Sequence, residues 1–230
     1  MMQWSNISAI AFDLDGTLID SVPDLVVATN ATLAQSQYPP VTDALVRSWV
    51  GNGAKMLMQR ALSYSSSMAE DSPELQAMLE QTMPQFLRNY GENLQKHSRL
   101  YPGVLATLQQ LTEAGFKLAI VTNKPYRFTV PLLTAFGIDG FFSEVLAGDS
   151  LAKMKPDPMP LQHLLKQWKL EASHLLMVGD SKNDIFAAKG ANVMSIGLTY
   201  GYNYGEDIGL SHPDAVCEHF ADIGQYLLPQ

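Results

Sequence analysis

Short apolar runs, each giving way to glycine or polar residues, recur along this 230-residue chain and alternate with segments of helical spacing. The runs are Ile7 to Phe12, Lys117 to Val121, Glu144 to Ala147, Leu175 to Val178, Val193 to Leu198 and, more weakly, Asp214 to Cys217. Runs this short and mostly apolar suit strands buried on both faces of a parallel sheet. The helical segments are Val104 to Ala114, Phe128 to Phe136, Met159 to Trp168 and Asn183 to Lys189. Strand and helix in alternation predict a doubly wound, Rossmann-like α/β fold with a parallel sheet.

Residues 21–99 break that rhythm. They are rich in Ala, Leu, Met and Gln at helical spacing and contain no comparable strand run, with breaks expected at Tyr38-Pro39-Pro40, at the serine cluster Ser63 to Ser67 and at Glu70 to Pro73. Pro84 reads as a kink or a helix start. The expected organisation is a discontinuous α/β core, residues 1–20 and 100–230, carrying a helical insert directly after the first strand. Ligands of open α/β sheets bind outside the C-terminal strand ends, so an insert leaving from such an end is placed to act as a lid; the plainer alternative is that it only adds core and surface.

Composition narrows the partners. With 15 Lys+Arg against 23 Asp+Glu, a formal net charge of −8 and no basic run, the chain is poorly suited to nucleic acid or to an anionic membrane surface. No apolar stretch approaches the ~20 residues of a membrane-spanning helix. Cys217 is the only cysteine, so no intrachain disulfide forms, and with no secretory signal readable at Met1 to Ser8 the expected location is the cytoplasm. Monomer and small homo-oligomer both remain open.

The chemistry gathers where the runs end. Asp13-Leu14-Asp15-Gly16-Thr17 follows the first run, and the two-residue spacing lets both carboxylates point to one side. Crowded carboxylates need a bridging cation or a retained proton, the conditions of metal binding and of acid–base work. A lone D-x-D at a turn is more often a cap, and Thr17 can cap the segment after it. Here, however, Thr122-Asn123-Lys124 and Gly179-Asp180-Ser181-Lys182-Asn183-Asp184 come after two other runs, and Lys155-Pro156-Asp157-Pro158 precedes a helix. Parallel strands would bring all of them to one rim, where carboxylates suit a hard divalent cation and a hydroxyl, an amide and an ammonium suit a phosphoryl group.

In this order and placement these four stretches resemble the motifs of the haloacid dehalogenase superfamily, specifically its phosphatases with a helical cap inserted after the first strand. Phe12 to Ser21, Trp49 to Ala54, Val121 to Pro125 and Gly197 to Asn203 are, more narrowly, similar to bacterial phosphoglycolate phosphatases. The resemblance implies Asp13 as the nucleophile forming an aspartyl-phosphate and Asp15 as general acid and then base. It implies Thr122 and Asn123 as holders of the phosphoryl group and Lys155 as the cation offsetting its charge. Mg²⁺ would be held by Asp13, the main-chain carbonyl of Asp15 and Asp180, with Asp184 orienting or joining the shell. The substrate implied is a small phosphomonoester, most narrowly 2-phosphoglycolate. An acid at Asp15 argues for phosphoryl transfer over carbon–halogen hydrolysis, while a sugar-phosphate mutase stays open. A phosphorylation-responsive signalling module is the rival of another class; the insert and Asp15 speak against it.

Gly51-Asn52-Gly53-Ala54-Lys55 lacks the G-x-x-x-x-G-K-[ST] spacing of a nucleotide-triphosphate loop. The resemblance assigns Gly51, Asn52 and Gly53 to the substrate's organic end, against an even alternative of a plain helix–helix turn. Met56, Met58, Met68, Met78 and Met83 read as core of the insert, the five histidines as surface or helix residues, and Lys124 and Lys182 as solvated lysines without a catalytic role.

Overall fold

The first strand, β1 (Ala9–Phe12), is buried along its whole length. Its two faces differ: Ala9 and Ala11 pack with Leu161, Leu164, Ala187 and Ala188, whereas Phe12 meets Phe220 and Phe142 at ring-centroid distances of 5.6 and 6.4 Å. Small residues on one side let helices approach closely, and aromatic rings fill the other. The computed structural model describes residues 4–228.

After β1 come β2 (Ile19–Asp20), α1 (Val22–Gln35), α2 (Asp43–Trp49), α3 (Gly53–Ser66), α4 (Pro73–Asn93) and β3 (Arg99–Leu100). The alternating part continues as α5 (Val104–Glu113), β4 (Lys117–Val121), α6 (Tyr126–Ala135), β5 (Phe142–Leu146), α7 (Met159–Trp168), β6 (Leu175–Gly179), α8 (Lys182–Gly190), β7 (Met194–Leu198), β8 (Ala215–Cys217) and the short α9 (Gly224–Leu227). Six strands form one sheet in the order β5-β4-β1-β6-β7-β8, and every pair with a defined register is parallel. The chain runs outward in both directions from β1, which makes the edge beyond the end of β1 the crevice where such sheets bind ligands. Phe12 is level with Ile120 on one side and Val178 on the other, so Asp13, Thr122 and Asp180 leave the sheet on the same rim.

The chain divides into two compact units, one made of residues up to Asp20 and from Leu100 onward, the other of Ser21–Arg99. In the second unit α1 and α4 bury Leu25, Ala28 and Leu33 and Leu75, Leu79 and Phe86. Ser72 accepts a hydrogen bond from the Leu75 amide, with Pro73 in the first turn, so α4 starts where the sequence placed a break. Pro84 lies inside α4 and neither starts nor ends it. The serine cluster is no break until its last residue: Ser63 to Ser66 finish α3, and Ser67 closes it in the left-handed conformation. Of the five methionines in this unit, Met58 is fully buried and the others are half-buried. Among the described residues no helix is long and apolar enough to cross a membrane.

Candidate active site

Asp13 continues β1 by one residue, its amide donating to the Val178 carbonyl at 3.0 Å. Its Oδ1 accepts from the Leu14 amide at 2.7 Å and faces the Lys155 Nζ at 3.0 Å. The same ammonium donates to Asp184 Oδ1 at 2.6 Å. Asp184 is fixed from the other side as well, since its Oδ2 accepts from the Ser181 amide at 3.0 Å and the Ser181 hydroxyl at 3.1 Å. Ser181 and Asp184 thereby close the capping box that starts α8. Asp180 accepts from the Thr17 hydroxyl at 2.7 Å and from the Tyr202 amide at 2.8 Å. Thr17 therefore spends its hydroxyl on this carboxylate and not on a helix cap.

On the neighbouring strand end, Asn123 Nδ2 donates to the Lys155 carbonyl at 2.8 Å. The Thr122 hydroxyl oxygen accepts from the Lys124 amide at 3.2 Å. Asp15 turns away from the other acids: both of its oxygens accept from Lys124 Nζ, at 3.0 and 3.1 Å. Four carboxylates thus divide into a group of three, with Lys155, and a separate ion pair.

Ligand atoms of Asp13, Asp180 and Asp184 all lie within 4.8 Å of one another, and all three residues are buried. Burial pushes the Asp13 carboxyl up to about 6; Lys155 pulls it down, and the nearby charges of Asp184 and Asp15 raise it further. Burial pushes Asp180 higher, to about 8, with Asp13 and Asp184 adding to the rise and the bonds from Tyr202 and Thr17 opposing it. For Lys155, burial alone would lower the ammonium, but Asp13 and Asp184 outweigh it and hold it above its ordinary value. Carboxylates that hold protons this firmly are short of positive charge. An oxygen-only donor set, tightly grouped and without histidine or cysteine, fits a hard divalent cation and not zinc.

Residues 10–198 match the family described as haloacid dehalogenase-like hydrolase. The chain belongs to the haloacid dehalogenase-like hydrolases. It is 51% identical over 223 residues to a protein of Vibrio cholerae serotype O1 named phosphoglycolate phosphatase, covering 96% of each chain. A protein of Yersinia pestis with the same name is 46% identical over 223 residues, covering 97% of this chain and 94% of that one. Among solved structures, a predicted phosphoglycolate phosphatase from Haemophilus somnus 129pt superposes with a TM-score of 0.90 at 45% identity, covering 96% of this chain and 97% of that one.

Within this haloacid dehalogenase-like hydrolase, the α/β unit brings together Asp13, Asp180, Asp184, Lys155 and Asn123, with Thr122 and Asp15 at the adjoining strand ends. The Asp15 side chain stands outside the three-carboxylate group. Gly51, Asn52 and Gly53 lie in the other unit, where Gly51 and Asn52 join α2 to α3, Asn52 is the N-terminal cap of α3, Gly53 is its first residue, and both glycines have positive φ. Their assignment to the substrate rests on the sequence resemblance.

Lys124 corrects the sequence reading. It is 5% exposed and ion-paired, because the end of β4 lies beside β1 and carries the side chain inward to Asp15. The available signal was its position directly after a Thr-Asn pair that itself follows a mostly apolar run. Lys182 pairs with Glu206 at 3.0 Å and is about a third exposed. Tyr200, Tyr202 and Tyr204, in the segment after β7, also have defined partners. Tyr200 donates to the Thr17 carbonyl at 2.6 Å and Tyr202 to Asp20 at 2.8 Å, while the Tyr204 oxygen accepts from Asn183 at 2.8 Å. Burial, with Asp180 adding, raises the Tyr200 hydroxyl far above its ordinary value, so it stays a donor.

Proposed function

We propose that this hydrolase is a Mg²⁺-dependent phosphomonoesterase that converts 2-phosphoglycolate and water to glycolate and phosphate through an aspartyl-phosphate on Asp13. The observation that carries the reading is the paired environment of two carboxylates two residues apart. Asp13 is buried against Lys155 beside two further acids, and Asp15 is held separately by Lys124. Two acids in different surroundings are suited to different tasks. The names of the relatives support the choice of substrate.

Asp13, Asp180 and Asp184, with the main-chain carbonyl of Asp15, would hold the cation. Bound there, Mg²⁺ supplies positive charge that lets a phosphomonoester dianion enter among carboxylates. Asp13 attacks phosphorus, the bond from phosphorus to the ester oxygen breaks, and Asp15 gives that oxygen its proton as glycolate leaves. Water then attacks phosphorus, Asp15 takes its proton, and Asp13 and phosphate are released. Thr122 and Asn123 hold the phosphoryl oxygens, and Lys155 balances charge on both Asp13 and the transferring group. The formal charge of −8, the absence of a basic run and the single, buried cysteine support a cytoplasmic enzyme of small metabolites, for which monomer and small homo-oligomer both stay open.

Steady-state assay of wild type and Asp13→Asn across 2-phosphoglycolate, hexose phosphates, pyridoxal phosphate and nucleoside monophosphates tests the reading. The expected outcome is the highest kcat/KM for 2-phosphoglycolate and a loss in D13N of at least about a thousandfold. A preferred hexose phosphate would replace the substrate; substantial turnover by D13N would remove the nucleophile.

A further inference from the structure

Lys124 is a buried ammonium to which the reaction scheme gives no role beyond holding Asp15. Its main chain is pinned on two sides, by its own amide on the Thr122 hydroxyl at 3.2 Å and by the Gly148 amide on its carbonyl at 2.9 Å. Its side chain is 3% exposed, and Nζ meets both oxygens of Asp15. This cation is therefore already fitted to a carboxylate, and Lys155 separately serves Asp13 and Asp184.

We infer that Lys124 determines specificity by binding a carboxylate of the substrate itself, taking it in exchange for Asp15. The inference rests on the phosphomonoesterase reading and on matching the site to the ligand. In an α-phosphorylated carboxylic acid, two covalent bonds separate the ester oxygen from the carboxyl carbon. The residue that handles the ester oxygen and the residue that holds the carboxylate must then be neighbours. Asp15 and Lys124 are neighbours at 3.0 Å, and Lys124 is one residue beyond Asn123 on the strand end that would hold the phosphoryl group. Phosphoryl group, ester oxygen and carboxylate thus map in order onto Thr122 and Asn123, Asp15, and Lys124. A carboxylate arriving on Lys124 also releases Asp15 from this ion pair. A substrate without that second anion leaves Asp15 tied to the lysine. The class selected is small phosphomonoesters bearing a carboxylate on the carbon next to the ester oxygen.

The test compares 2-phosphoglycolate with ethyl phosphate, which keeps an alkyl leaving group and lacks the carboxylate, in wild type, Lys124→Met and Lys124→Arg. Wild type should favour 2-phosphoglycolate in kcat/KM. In K124M that preference should shrink by about tenfold or more, chiefly through KM for 2-phosphoglycolate, because a charge-assisted contact is lost for one substrate only. K124R, which keeps a cation, should retain part of it. An unchanged preference in K124M, with both substrates slowed alike, would assign Lys124 to positioning Asp15 and overturn the inference. So would a wild type that prefers neither substrate, a result that needs no variant to fold and leaves the phosphatase reading standing. Turnover of neither substrate by wild type would remove that reading and the inference together.

Discussion

At the residue scale, the burial of Asp180 is the most consequential single feature. Its carboxyl is pushed to about 8 and that of Asp13 to about 6, both from an ordinary value of 3.8. The unfolded chain gives up these protons near its ordinary value, and the folded chain keeps them to higher pH. Between those values the native state binds more protons than the unfolded state, so these groups make stability fall as pH rises from about 4 to about 8. A cation bound by these oxygens would replace the protons and remove the penalty. Thermal melts in chelator should show Tm declining across that window, and the decline should be flatter in Asp180→Asn. The Tm increase from saturating Mg²⁺ should be larger near about pH 8 than near about pH 6, because protons compete for the same oxygens. A cation-free Tm that rises with pH by the same amount in wild type and D180N would contradict this picture.

At the element scale, the strand ends are shaped by glycines that leave room for carboxylates. Added to Gly201, a Cβ would collide with the Asp180 side chain; at Gly179 it would collide with that of Asp184. Gly201→Ala should therefore displace Asp180 and lower kcat/KM at fixed Mg²⁺ by roughly tenfold, with partial recovery as Mg²⁺ is raised, since disturbed support of metal ligands typically costs about 10–100-fold. Gly140→Ala, where the added group meets nothing within 4 Å, should not change it. Metal titration of activity for both variants checks the pair.

The strands were legible in the sequence because parallel strands buried on both faces are continuous apolar runs. The run from Lys117 to Val121 is β4 residue for residue, and Met159 to Trp168 is α7. The run at Glu144 begins two residues late, because Phe142 pairs with Leu118 across a register shift that no local pattern announces. The site acids could be read from their places after strands. The partners of those acids could not: Lys124 reaches Asp15 only because β4 lies next to β1, and Thr17 reaches Asp180 across 163 residues of sequence. Local spacing does not encode such pairings.

At the scale of the whole molecule, part of the formal charge of −8 is concentrated in one buried and only partly compensated cluster. Two buried lysines are spent among four carboxylates at one end of a parallel sheet, and the strand order brings all six residues there from distant parts of the chain. Such a site can accept an anion once a divalent cation joins the lysines. The central claim is that this assembly makes Asp13 a nucleophile toward phosphorus. Its most direct test is peptide mapping by mass spectrometry after the enzyme is quenched in acid during turnover of 2-phosphoglycolate with Mg²⁺. The account predicts a hydroxylamine-labile phosphoryl group on the peptide containing Asp13, absent in D13N. A phosphoryl group on a different residue, or none under conditions where Asp15→Asn is shown to stop the second step, would contradict it.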